Sequence, residues 1–261
     1  ISELVLIKNN VMEKQPHSFP TEEVLLPSKG LLYPKDHPLS SGIVEVKYMT
    51  AREEDILTNQ NYIQNGTVID KLLQSLIVTQ FNYNDLLIGD KNAILVAARI
   101  LGYGSEYEFK YKDQKVSIDL TTLKEKELDK NIITEGKNEF NYKLPHLKRS
   151  VTFKLLTHGD DQKIQNEVKG LKKINKQASS DVSTRLKHTI ISVDGNYETA
   201  DIREFVDNHL LARDARELRK YMTSVNSDVD MTVDLDLPDG TQEEGVSLPI
   251  GISFFWPDAG I

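Results

Sequence analysis

The chain has 261 residues, 40 acidic and 32 basic, for a formal net charge of −8; that balance argues against nucleic acid or an anionic membrane as main partner, since both reward clustered Lys and Arg. The absence of cysteine excludes disulfides, thiolate zinc sites, iron–sulfur clusters and a cysteine nucleophile. No apolar run approaches the roughly 20 residues of a membrane span, and no signal-peptide pattern is read in the opening residues.

Residues 1–50 read as an extended, proline-rich N-terminal arm ending in a strand. Pro16, Pro20, Pro27, Pro34 and Pro38 lie here, five of the nine prolines, and each disfavours helix around itself. The stretch Leu25-Leu26-Pro27-Ser28-Lys29-Gly30-Leu31-Leu32-Tyr33-Pro34 is apolar on both sides of a Pro/Gly turn. Such a segment needs a surface to lie on, either the chain's own body or a neighbour. Residues 18–40 are therefore expected to run extended over one or the other, and Leu31, Leu32 and Tyr33 are candidate partner-binding residues. The alternation over 43–49 reads as a strand.

A helical module ending in a β-hairpin is expected over 51–149. Thr50-Ala51-Arg52-Glu53 has capping-box spacing, and the helix it opens should run to Asn65-Gly66. Ile69, Leu72, Leu73, Leu76 and Ile77 have the spacing of a second helix. Gly89-Asp90 opens a third, carrying Ile94, Leu95, Ala98 and Leu101 to a stop at Gly102. Tyr107, Phe109 and Tyr111 then alternate with charged residues, Lys112-Asp113-Gln114-Lys115 turns, and Val116, Ile118 and Leu120 alternate again, which is the pattern of a hairpin. Residues 121–149 are charged and weakly patterned.

A second module of the same kind is expected over 150–261, with an aromatic C-terminus. Residues 151–156 read as a strand and 159–192 as mostly helix, with a very polar stretch over 169–180. After a turn at 193–196, helices are expected at about 199–211 and 213–225. Val229, Met231, Val233 and Leu235 alternate as a strand, Leu237-Pro238-Asp239-Gly240 turns, and Val246, Leu248 and Ile250 return. The fold class is thus α+β, two helix-plus-hairpin modules behind the arm. Aligning Asp90 with Asp214 places Ile94 on Leu218, Tyr107 on Met231 and Phe109 on Val233, an internal echo at low residue identity.

No constellation for catalysis emerges. His17, His37, His146, His158, His188 and His209 form no H-x-x-x-H pair, so a metal site would need ligands from distant segments, and none is expected. Phosphate loops, dinucleotide fingerprints and nucleophile elbows are missing. Asp234-Leu235-Asp236-Leu237-Pro238-Asp239-Gly240 departs from a calcium loop after Asp236 and carries a proline in its path. The basic residues from Lys169 to Lys187 lack interleaved aromatics and read as a solvated helical face. The reading is of a protein without catalytic residues, cofactor or small-molecule substrate. Phe254, Phe255 and Trp256 are consecutive aromatics that include the single Trp. Read as a strand they point to opposite faces, so one face is expected to pack at home and the other to meet a partner.

The ordered set Leu26-Pro27-Ser28-Lys29-Gly30-Leu31-Leu32-Tyr33-Pro34, Thr50-Ala51-Arg52-Glu53-Glu54-Asp55-Ile56-Leu57, Gly89-Asp90-Lys91 with Arg99-Ile100-Leu101-Gly102-Tyr103-Gly104, and Leu248-Pro249-Ile250-Gly251 with Phe254-Phe255-Trp256-Pro257 resembles the baseplate hub proteins of contractile-tailed phages, the family of the gene 26 product of T-even phages. The resemblance spans nearly the whole chain, and the ordered set carries it rather than any single motif. It implies a non-enzymatic tail protein acting in the structure or assembly of the baseplate hub, resident in the virion or working in the host cytoplasm during assembly. Its partners would be other baseplate or tail hub proteins. Alternatives are an assembly chaperone absent from the mature particle and a hub-associated lytic hydrolase. Members of the family place C-x-x-C pairs at the two hairpin turns. Here Lys112-Asp113-Gln114-Lys115 and Leu237-Pro238-Asp239-Gly240 stand there, so metal binding is not carried over.

Overall fold

Val24, Val44 and Val46 alternate with polar neighbours and are buried to within 1% exposure, the period-2 pattern of a half-buried antiparallel pair. They belong to β1 (Thr21–Leu25) and β2 (Ile43–Lys47), which pair Val24 with Val44. The computed structural model describes residues 20–126, 128–174 and 181–256. Residues 1–19 of the expected arm, with Pro16 and His17, lie outside the described residues, as do positions 175–180 of the polar stretch and Pro257. Over 20–50 the chain forms this hairpin, with the connection between its strands laid on the chain's own core. Pro20 precedes β1, Pro27 and Pro34 lie in the long connection, and Pro38 starts a 3₁₀ turn, Pro38–Ser41, where a fixed φ is favourable and a missing N–H costs nothing.

The capping box forms: Glu53 accepts from the Thr50 amide at 2.9 Å and the Thr50 hydroxyl at 2.6 Å. It opens α1 (Ala51–Leu57), and α2 (Gln60–Asn65) follows. The single helix expected to Gly66 is broken because Asn59 accepts from the amides of Asn61 and Tyr62 and starts a new helix. Gly66 closes α2 in the left-handed region. The next helix, α3 (Val68–Leu76), buries Val68, Leu72, Leu73 and Leu76 on one stripe.

The axis of the fold is α4 (Ile88–Tyr103), in which every residue from Ala93 to Arg99 is buried. A helix apolar on all sides needs cover on all sides. The cover comes from β1, β2, α3 and, from the far end of the sequence, β9 (Asp228–Val229) and α9 (Ile252–Phe255). β3 (Glu106–Tyr111) and β4 (Gln114–Asp119) form the expected hairpin, with Phe109 opposite Val116. Its turn is only Lys112-Asp113, at φ 46° and 62°, the two positive values a type I′ turn needs.

The second half holds two strands that its pattern did not reveal. β6 (Phe140–Lys143) lies within the weakly patterned 121–149, and β8 (Ile190–Val193) within the stretch expected as helix. Both flank β7 (Ser150–Phe153) in a three-stranded antiparallel sheet of order β6-β7-β8. Helices α5 (His158–Ile174), α6 (Asp181–Thr189), α7 (Thr199–Glu204) and α8 (Ala212–Val225) complete this half. A π turn, Phe205–His209, extends α7. The short strand β5 (Glu125–Lys126) pairs with β9 (Asp228–Val229). The closing elements are the hairpin β10 (Thr232–Asp236) and β11 (Gln242–Ser247) and the single-turn helix α9 (Ile252–Phe255). The fold is α+β. Core residues from all three segments, Val24 to Phe255, belong to one hydrophobic cluster.

Candidate partner-binding surfaces

The first candidate set, Leu31, Leu32 and Tyr33, lies in the connection between β1 and β2. Leu32 and Tyr33 are buried at 2% and 5% exposure in the chain's own core, and Leu31 is half-buried. The connection folds inward because Asp90, at the first turn of α4, collects its polar groups. Asp90 accepts from the Ser28 amide at 2.9 Å, the Ser28 hydroxyl at 2.7 Å and the Tyr33 hydroxyl at 2.7 Å. The Tyr33 oxygen in turn accepts from the Leu87 amide at 3.0 Å. Burial pushes the Asp90 carboxyl up to about 6, against the pull of its Ser28 and Tyr33 donors. Burial, then the neighbouring Asp90 charge, raises the Tyr33 phenol. Gly30 makes the fold-back possible: it sits at φ +74°, and a Cβ there would stand 2.3 Å from the Ser40 carbonyl oxygen. Leu32 and Tyr33 thus pack into the chain's own core.

The second half repeats the device. Leu144-Pro145-His146 joins β6 to β7 as Leu26-Pro27-Ser28 follows β1. Asp214, fully buried in the first turn of α8, accepts from the amides of His146 at 2.9 Å and Leu147 at 3.0 Å. Lys47 bonds Glu53 of the first capping box at 2.9 Å, and Lys154 bonds Asp160 at 2.8 Å beside Thr157, which pairs with Asp160 as Thr50 does with Glu53. For Glu53, burial pushes the carboxyl up, but donors from Thr50, Lys47 and Ser75 outweigh it and bring it down to about 2.

The C-terminal aromatics are not on a strand. Phe254 and Phe255 end the four-residue α9, and both are 0% exposed. Successive helical side chains diverge by about 100° rather than 180°, so both rings can reach one core. The amides of Phe254 and Trp256 close the turn on the carbonyls of Gly251 and Ile252. Phe254 meets Tyr107 edge-on at 4.8 Å, and the Tyr107 hydroxyl donates to the Pro249 carbonyl at 2.7 Å. Trp256 is half-buried and alone of the three keeps accessible surface.

Sequence reasoning missed a groove of about 740 Å³ between the two halves. α3 and α4 supply Ile69 and Leu95; Leu155 and Leu156 follow β7; Leu186 comes from α6 and Met222 from α8. At one end Asp70 accepts from Tyr83 and pairs with Lys91 at 2.5 Å, beside the buried ring of His158. Burial, then the nearby Lys91 charge, holds His158 below its usual pKa against the pull of Asp70. No sequence motif signals the groove, because its walls come from distant segments. Among the described residues no cluster of three or more His, Asp or Glu is placed to hold a metal ion, and no helix is long and apolar enough to cross a membrane. No protein-family model, curated protein or solved structure matches this chain.

Proposed function

We propose that this chain is a non-enzymatic tail protein that acts in the structure or assembly of a contractile-phage baseplate hub through protein–protein contacts. The observation that carries the reading is convergence on one helix. The segments that resemble the hub family are scattered along the sequence, yet they meet on α4 and its ends. Ser28 and Tyr33 of the first bond Asp90. Glu54 of the second accepts from Tyr103 at 3.2 Å. α9 of the last packs on α4, with Phe254 against Tyr107. Segments that act together in the fold are a better basis for family likeness than scattered similarities. The paired Asp90 and Asp214 devices support the finer view of two like modules fused in one chain. Buried carboxylates at both helix starts are engaged with amides and hydroxyls, which gives them a structural use.

Mass spectrometry of assembly intermediates and purified particles from infected cells tests the proposal. A hub component is expected in both at fixed ratio to other hub proteins, and an assembly chaperone in the intermediates alone. Absence from both would overturn it. Cell-wall hydrolysis by the purified chain would favour the lytic alternative.

A further inference from the structure

The groove between the halves has a chemistry at odds with the rest of the chain. The whole protein carries a net charge of −8, but the groove presents four cations, Lys91, Lys154, Arg185 and Arg219, against two carboxylates, Asp70 and Asp161. Three of the cations are partnered: Lys91 by Asp70, Arg185 by Asp161, and Lys154 by Asp160 behind the wall. Arg219 is exposed, donates only to the Ala215 carbonyl of its own helix, and has no carboxylate partner among the described residues. Between the cations aliphatic side chains alternate with polar ones, Asn92, Gln165, Thr189, Thr223 and Asn226, and the apolar part continues onto the rim through Val182 at 50% exposure and Ile250 at 39%. An exposed apolar strip inside a cationic frame marks a recognition surface.

From this complementarity we infer that the groove receives an amphipathic helix from a partner protein, its apolar stripe on the aliphatic strip and acidic residues facing Arg219 and Arg185. Much of the wall comes from α3, α4, α5, α6 and α8, and an added helix packs between helices by the same ridge-and-groove rules. Val182, Arg185, Gln165, Arg219 and Ile250 are all exposed, so the trough is open to a macromolecular segment, unlike an enclosed small-molecule site. The inference deepens the proposed function by naming the chemistry of the partner segment.

Two synthetic helices with the same leucine stripe, one with glutamate and one with lysine at every other position, are titrated against the full chain by fluorescence anisotropy. The glutamate helix is expected to bind and the lysine helix not. Reversing the frame with Arg185→Glu and Arg219→Glu should weaken the glutamate helix by about tenfold or more and admit the lysine helix. Val182→Ser with Ile250→Ser should weaken the glutamate helix without reversing the preference. Val182 and Ile250 are exposed and Arg219 has no carboxylate partner, so those substitutions should leave the melting temperature at the parent's value, while Arg185→Glu, which loses the surface pair with Asp161, should lower it slightly. Failure of both helices to bind, equal binding of the two, or indifference to charge reversal would overturn the inference. The assay contains no other tail protein, so its failure and the absence of the chain from tail intermediates are separate results.

Discussion

The connections at Leu26-Pro27-Ser28 and Leu144-Pro145-His146 use one device at two scales. Each is held by an aspartate in the first turn of a long helix, where the helix N-terminus favours a carboxylate. The second is short, and Asp214 takes only the amides of His146 and Leu147, residues at or near the surface. The first runs from Leu26 to Gly42 and carries Leu32, Tyr33 and Leu39 into the core. Asp90 must then satisfy hydroxyl groups as well as an amide, all out of water. A loop that grows inward turns its staple from a local cap into a core residue, and the cost of losing that staple should grow with it.

The largest effect should come from the staple itself. Asp90→Ala leaves the Ser28 and Tyr33 donors buried without an acceptor and should cost roughly 3–5 kcal/mol. Asp214→Ala should cost about 1–2 kcal/mol, because water can reach its freed amides. Chemical denaturation of both variants reads the difference; equal losses would break the comparison.

Next in size is the pH dependence of two carboxylates in the same half. Glu53 is depressed in the folded state to about 2. Its contribution, on the order of 3 kcal/mol by linkage, is present above the unfolded value near 4.5 and is lost as pH falls toward about 2. Asp90 is raised to about 6, so its contribution has the opposite sign, present below about 4 and lost as pH rises through about 6. Stability measured from pH 2 to 7 should show the acid loss shrink in Glu53→Gln. Carbon NMR should find the two carboxyls titrating on opposite sides of the ordinary range.

A smaller effect separates the loop backbones. Gly30→Ala is expected to destabilise by about 1–3 kcal/mol, because the left-handed φ and the Ser40 carbonyl both oppose a Cβ. Lys148 holds a left-handed φ of 59° in the short loop without being glycine, so Lys148→Gly should leave the melting temperature unchanged or raised. Smallest is Tyr107→Phe, which removes one hydrogen bond to Pro249 and should cost about 1 kcal/mol.

Much of the fold was legible where local chemistry decides it. Thr50 and Glu53 announced a helix start, Tyr107 and Phe109 a strand, and the Asp90–Asp214 alignment put Ile94 on Leu218, both 0% exposed. The same alignment keeps Met231 and Val233 on the inward side as Tyr107 and Phe109 are, and only beyond Val233 does β10 carry an irregularity that β3 lacks. β6 and β8 are four residues each, too short for a period to stand out, and exist because β7 lies between them. Phe254-Phe255-Trp256 has the composition of a strand, but α4 and Tyr107 offer it a core to turn onto, and packing overrode propensity. Leu31-Leu32-Tyr33 showed the need for a surface without saying whose. The groove is a product of tertiary assembly, with no trace in any one segment.

We propose that this protein works by holding other tail proteins. Cross-linking with a carbodiimide, which activates carboxylates for attack by lysine amines, followed by mass spectrometry of the hub intermediate isolated from infected cells, tests it most directly. The account expects inter-protein links from Lys91 and Lys154 at the groove to acidic segments of a second tail protein, lost in the Arg185→Glu, Arg219→Glu variant. Links confined to this chain in an intact intermediate would contradict it.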